Sequence, residues 1–125
     1  MEREGIAKAY LRYFEGKLES DRWSVEEVDA AVARDPDEGW ELTRVLVGMA
    51  GSDEALAYVA AGPLEDLLRR HGPAVIGRVE DESRRNDQLR LALSGVWIAP
   101  EDPVFGRWYA LMSKYGFADG SRKPL

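Results

Sequence analysis

The chain has no cysteine and one histidine, His71, among its 125 residues. Without a thiol there is no thiolate nucleophile, no Cys-ligated zinc, no iron–sulfur cluster and no disulfide. A single histidine cannot supply a two-histidine metal motif, and it works as a general base only with partners brought from elsewhere. No stretch approaches the roughly 18 apolar residues of a membrane span. Met1-Glu2-Arg3-Glu4 has no apolar run behind a basic segment, so no signal peptide is expected. Also missing are a Ser-centred nucleophile elbow, a phosphate-cradling glycine loop, the oxygen-ligand spacing of a calcium loop, and any period-two alternation that would mark a β-strand. The expectation is a cytoplasmic protein with no metal, no cofactor and no identifiable catalytic residue.

What is present is acid, unevenly placed. The net charge is −6. Residues 1–61 carry 14 acids against 7 bases, residues 62–95 carry 6 of each, and residues 96–125 carry 3 acids against 4 bases. Between positions 19 and 41 stand Glu19, Asp21, Glu26, Glu27, Asp29, Asp35, Asp37, Glu38 and Glu41 against Arg22 and Arg34. Such a region repels a nucleic-acid backbone. It would steer a basic protein instead. The acids exceed what helix caps and first turns require, which makes Glu26, Glu27, Asp29, Asp35, Asp37, Glu38 and Glu41 the candidate protein-binding residues.

The apolar residues recur at helical spacing throughout. Ile6, Tyr10, Tyr13 and Phe14 predict a helix over 3–18. Ser24 and Glu27 read as a capping box, with Trp23 and Val28 as its hydrophobic staple. Asp35-Pro36 opens a third helix through Leu42, Val45, Leu46 and Met49, with Glu38 closing a box and Gly51 ending the helix. Ser52 starts a short helix through Leu56 and Val59. Gly62–Gly72 reads as a complete helix, with Pro63 at its first position, Gly72 as the left-handed residue past its end, Glu65 and Asp66 at the positive end of its dipole, and Arg69, Arg70 and His71 at the negative end. Gly72-Pro73 then restarts the chain through Val75, Ile76 and Val79. Asn86 or Asp87 caps a helix with Leu89, Ala92 and Leu93. Asp102-Pro103 caps a last one with Trp108, Leu111 and Met112, closed by Gly116. Residues 118–125 lack the apolar content to fold unaided and are expected to fray.

These elements predict an all-α single domain over 1–117, a compact array of six to eight short antiparallel helices or an α-solenoid-like stack. Gly62-Pro63-Leu64-Glu65-Asp66 is echoed fifteen residues later by Gly77-Arg78-Val79-Glu80-Asp81. Glu65 with Arg69, Asp66 with Arg70, Glu80 with Arg84 and Asp81 with Arg85 are then expected as one-turn ion pairs on solvated faces. An alternative places Glu65, Asp66, His71 and Arg78 together in a cleft binding a small molecule.

The order Asp35-Pro36…Trp40, Gly62-Pro63-Leu64-Glu65-Asp66-Leu67-Leu68…His71-Gly72, Ile76…Arg78-Val79-Glu80 and Leu93…Val96-Trp97 resembles a family of small bacterial all-helical domains of unknown function. The resemblance covers roughly residues 20–98 and implies a bacterial helical protein; it assigns no catalytic residue. The functional expectation is an acidic interaction or regulatory module with a basic partner, as an immunity-type protein would have. The alternatives are a small-molecule enzyme or ligand-binding protein using Glu65, Asp66 and His71, and a homo-oligomeric structural subunit.

Overall fold

Short polar side chains set several helix starts. Asp35 accepts the Asp37 N–H at 2.9 Å, Ser52 accepts the Ala55 N–H at 3.1 Å, and Asn86 accepts the Leu89 N–H at 3.0 Å. Each satisfies a donor that the first helical turn leaves without a partner. The computed structural model describes residues 2–117, and among them the regular structure is entirely helical. Its α-helices are α1 (Arg3–Gly16), α2 (Trp23–Arg34), α3 (Pro36–Met49), α4 (Asp53–Val59), α5 (Glu65–Ser83), α6 (Asp87–Ser94) and α7 (Phe105–Lys114). The segment 118–125, expected to fray, lies outside the described residues.

Helices α1, α2 and α3 pack on one another, α3 continues the contact to α5 and α6, and α7 closes on α5 and α6. One apolar core runs through all of them. Leu42, Leu46, Leu64, Leu67, Leu68, Ile76, Leu89, Leu93 and Met112 are fully buried, and Trp40 and Trp108 are buried with them. Removing one such leucine side chain would cost about 2–5 kcal/mol, so this core dominates the stability. Gly39 lets α3 cross close to its neighbours, since a Cβ there would stand 3.0 Å from Leu67 and 3.1 Å from the Val32 backbone.

The central stretch differs from its expected form. Gly62–Gly72 is not a separate helix. The chain passes from α4 through a π-turn over Ala60–Leu64 directly into α5, which continues to Ser83. In this wider turn the Glu65 N–H reaches back to the Ala60 carbonyl, which accommodates Pro63 inside helical backbone without driving its ring into the preceding turn. Gly72 does not end a helix either. Pro73 only kinks the rod, with the irregularity absorbed at His71 (φ −129°, ψ 20°). Gly72 is a glycine because the rod touches Val104 there: an added Cβ would lie 2.6 Å from the Val104 Cβ.

Two further starts shift. Ser24 forms no capping box; it lies inside α2, buried, and its hydroxyl donates to the Asp21 carbonyl at 2.6 Å. A one-turn 3-10 helix at Glu19–Asp21 already turns the chain, and Arg12 holds it to α1 through both oxygens of Asp21, at 2.9 and 3.3 Å. That guanidinium keeps the Asp21 carboxyl below the usual carboxylate range. Asp102 accepts the Val104 N–H, so it shapes the turn before α7 and the helix begins only at Phe105. Glu38, expected to close a box, instead binds Arg3 bidentately at 2.9 and 3.0 Å.

Two glycines of α5 should respond oppositely to alanine. Gly72→Ala should destabilise by about 2 kcal/mol through overpacking against Val104. Gly77→Ala, where a Cβ would meet nothing within 4 Å, should stabilise by about 0.5–1 kcal/mol through helix propensity. Urea unfolding of both variants checks the pair.

Candidate functional site

The acids of α3 and its cap are largely consumed inside the molecule. Asp35 caps α3, Asp37 accepts from Arg78 at 2.7 Å, Glu38 holds Arg3, and Glu41 accepts from Arg44 at 2.8 Å. The α2 acids behave differently. Glu26 and Glu27 are exposed and form no ion pair among the described residues. They share a helical face with Trp23, Ala30 and Ala33, positions three, four, seven and ten residues from the tryptophan, and all of these are exposed. Trp23 keeps 37% of its surface accessible. Read from sequence as a staple for α2, it is instead a surface aromatic beside unpaired carboxylates. The available signal was the pair of acids at i+3 and i+4.

Asp29 belongs to a second region, a polar seam where α5 lies against α2 and the start of α3. Partial burial, and secondarily the nearby Asp66 carboxylate, push the Asp29 carboxyl above its ordinary range, while Arg70 works against the shift. Asp66 accepts from Arg70 Nε at 2.9 Å. One turn on, His71 Nε2 lies 2.9 Å from the Val32 carbonyl. Because a carbonyl only accepts, that ring nitrogen carries the proton. His71 therefore complements a helix C-terminus as expected, but that of α2 and not its own.

Beyond Arg78 the seam widens into a groove of about 520 Å³ between α3 and α5, lined by Arg44, Arg78, Arg85, Glu41, Asp81 and Glu82 over Trp40 and Gly77. Three guanidiniums and three carboxylates leave it without net charge. From sequence Arg85 is expected only as the one-turn partner of Asp81, and Arg44 is not named. A one-turn acidic partner, Asp81 for Arg85 and Glu41 for Arg44, gives neither residue a signal beyond that of a solvated pair.

Of the four residues of the small-molecule alternative, Asp66, His71 and Arg78 lie along this seam and Glu65 does not. Glu65 turns toward the segment after α6, accepting the Trp97 backbone N–H at 2.8 Å and pairing with Arg69 at 3.6 Å. Asp66 faces Arg70 and α2, His71 faces the Val32 carbonyl, and Arg78 faces Asp37. Each is engaged by a different partner. Of the other expected ion pairs, Asp81 with Arg85 forms at 3.5 Å, whereas Glu80 leaves Arg84 to bind Arg107 on α7, which draws its carboxyl below the usual range. Within the 19–41 run, the carboxylates with neither an ion pair nor a capping bond among the described residues are those of α2, an electrostatic surface for a cation. Among the described residues no cluster of three or more His, Asp or Glu is arranged to hold a metal, and no helix is long and apolar enough to cross a membrane.

Fold and surface together define an all-α domain whose acidic side chains are mostly structural. The chain belongs to the DUF6869 family, a family of unknown function, whose profile matches residues 14–115. That span runs from the last turn of α1 to the end of α7. No curated protein and no solved structure matches the chain.

Asp29 provides a pH test. A folded pKa raised above the unfolded value means that the group contributes stability below about pH 4, and that this contribution is lost as pH rises through the folded value. Ionised Asp29 therefore costs stability at neutral pH. Asp29→Asn should stabilise by about 0.5 kcal/mol at pH 7, a small effect because solvent screens the group, and the gain should vanish toward pH 3. Thermal melts across that range check the sign.

Proposed function

We propose that the protein is an acidic helical interaction or regulatory module, and that it binds a basic protein partner through the outer face of α2, in the manner of an immunity-type protein. The observation that carries this reading is that Glu26 and Glu27 have no ion-pair partner among the described residues and share a helical face with the accessible Trp23. Most other acids of the 19–41 run are engaged by Arg3, Arg12, Arg22, Arg44, Arg78 or a helix cap, so the unengaged charge concentrates on α2. Tryptophan is a frequent anchor in protein interfaces, and carboxylates around it would select a basic partner and speed its approach. The net charge of −6 adds long-range steering that salt would weaken.

The double variant Glu26→Lys/Glu27→Lys tests this. Both positions are exposed, so the melting temperature should stay within about 2 °C, the scale of surface substitutions. Capture of a partner from the source lysate at low salt should fall at least tenfold relative to the native chain. Equal capture by both, or capture indifferent to salt, would remove the α2 face from the reading.

A second reading, a homo-oligomeric subunit, is favoured by a different observation. Leu91, Trp97 and Tyr109, on and near α6 and α7, are 40, 57 and 45% exposed, and large apolar side chains left in water mark association surfaces when they are contiguous. Light scattering from 10 μM to 1 mM (about two decades around typical weak dimer constants) should show mass rising above 14.0 kDa in the native chain and not in Trp97→Ser. A constant monomer mass would discard this reading and leave the α2 proposal intact.

A further inference from the structure

The end of α1 carries an aromatic surface that the basic-partner reading does not use. Tyr10 and Phe14, one turn apart, pack against Tyr58 of α4 with ring centroids 5.2 and 4.7 Å away. Tyr13 lies beside them. The chain leaves α1 through Lys17, which adopts a left-handed conformation (φ 55°, ψ 33°) while its N–H closes the helix on the Tyr13 carbonyl at 2.8 Å. It is the only non-glycine residue with positive φ among the described residues. Glycine takes that conformation freely, whereas for a side-chain-bearing residue it costs about 1–2 kcal/mol.

The lysine in this position sends its ammonium back over the rings. Nζ stands 5.1 Å from the Tyr13 centroid, 5.4 Å from Tyr58 and 5.7 Å from Phe14. No carboxylate pairs with it among the described residues. The rings are therefore the principal negative partner of this cation, attracting it through their quadrupoles.

We propose that Tyr13, Phe14 and Tyr58 form a cation-accepting site, filled in the free protein by Lys17, which takes an alkylated ammonium group when that lysine swings away. The inference stands independently of the α2 face. A primary ammonium such as that of Lys17 is strongly hydrated and gives up water to reach the rings. A methylated ammonium spreads the same charge over methyl groups, loses less hydration, and buries apolar surface against the aromatics. Lys17 competes from within the chain at an effective concentration in the millimolar range. It acts as a resident occupant and is not a fixed structural ion. The shared chemistry fits a methylated lysine on a peptide or a small quaternary amine.

The test uses the whole chain and its Lys17→Ala variant, titrated with tetramethylammonium chloride at constant ionic strength against sodium chloride. The readout is the ring-proton chemical shifts of Tyr13, Phe14 and Tyr58. Saturable shifts are expected, with Lys17→Ala binding about tenfold more tightly than the native chain. The double variant Lys17→Ala/Tyr13→Ala should lose the binding. Tyr13 is only half-buried and lies outside the core cluster, so circular dichroism should show that variant folded. A peptide bearing one trimethyl-lysine, compared with its unmodified form, distinguishes the sources. Tighter binding than tetramethylammonium supports a peptide lysine, and equal or weaker binding supports a small amine. No saturable shift in Lys17→Ala, equal affinity in the native chain and Lys17→Ala, or undiminished binding in the double variant would overturn the proposal.

Discussion

The carbonyls that end each helix impose the constraint on which most of this structure depends. The last turn of a helix leaves acceptors without intrahelical donors, and a buried one left alone costs about 1–3 kcal/mol. At the ends of α2, α3, α5 and α6 a side chain from later in the chain supplies a donor. His71 serves the Val32 carbonyl of α2, the Gln88 amide serves Val47 and Ala50 at the end of α3 at 2.9 and 3.0 Å, Arg90 serves Ser83 at the end of α5 at 2.6 Å, and the Trp108 indole serves Leu93 of α6 at 3.1 Å. Every donor lies later in the chain than the helix it completes. Helix ends and tertiary docking are therefore one event, because the earlier helices are not satisfied until the later ones arrive.

The rod made of α4, the π-turn and α5 makes this geometry possible. Two prolines in one helical run would ordinarily break it twice. The first is absorbed by widening a turn at Ala60–Leu64, and the second by the bend at His71. The bend has a structural consequence beyond tolerance of Pro73. It lies where α5 passes the end of α2, and the imidazole of the distorted residue is the group that reaches the Val32 carbonyl. At the same level the missing side chain of Gly72 allows Val104 to approach from the far side. Irregularity, cap and close packing fall within two consecutive residues.

This explains which parts of the fold were legible from residues alone. Caps that act within three residues were readable: Asp35, Ser52 and Asn86 behave as their types and positions imply. At the C-termini, glycine punctuation held only at Gly116, which takes φ 82° while Phe117 closes back onto the Met112 carbonyl. Gly51 and Gly72 invited the same reading and do not adopt the left-handed conformation. Their helices end on, or continue through, contacts between residues distant in sequence, for which local periodicity carries no signal. The candidate surface was legible to the same degree. The acidic excess of 19–41 is plain in the composition, but its division depends on which arginines fold back onto it. Arg3 and Arg78 reach their acids across 35 and 41 residues.

The electrostatics follow from that division. Guanidiniums suit carboxylates that must be held in one place, because their planar donors fix geometry as well as charge. Eleven arginines take part in the ion pairs of the described residues, and no lysine does. The pairs that join different elements, Arg3 with Glu38, Arg12 with Asp21, Arg78 with Asp37 and Arg107 with Glu80, act as struts between helices. Salt screens them, and each exposed pair contributes little by itself. Their larger effect is to subtract charge from the surface. The internal arginines neutralise α3 and α5 and leave the α2 face unneutralised. Within the 19–41 run, the acids left without an ion pair or a capping bond among the described residues thus fall on α2, beside a tryptophan. Location, more than total charge, distinguishes them from the structural acids around them.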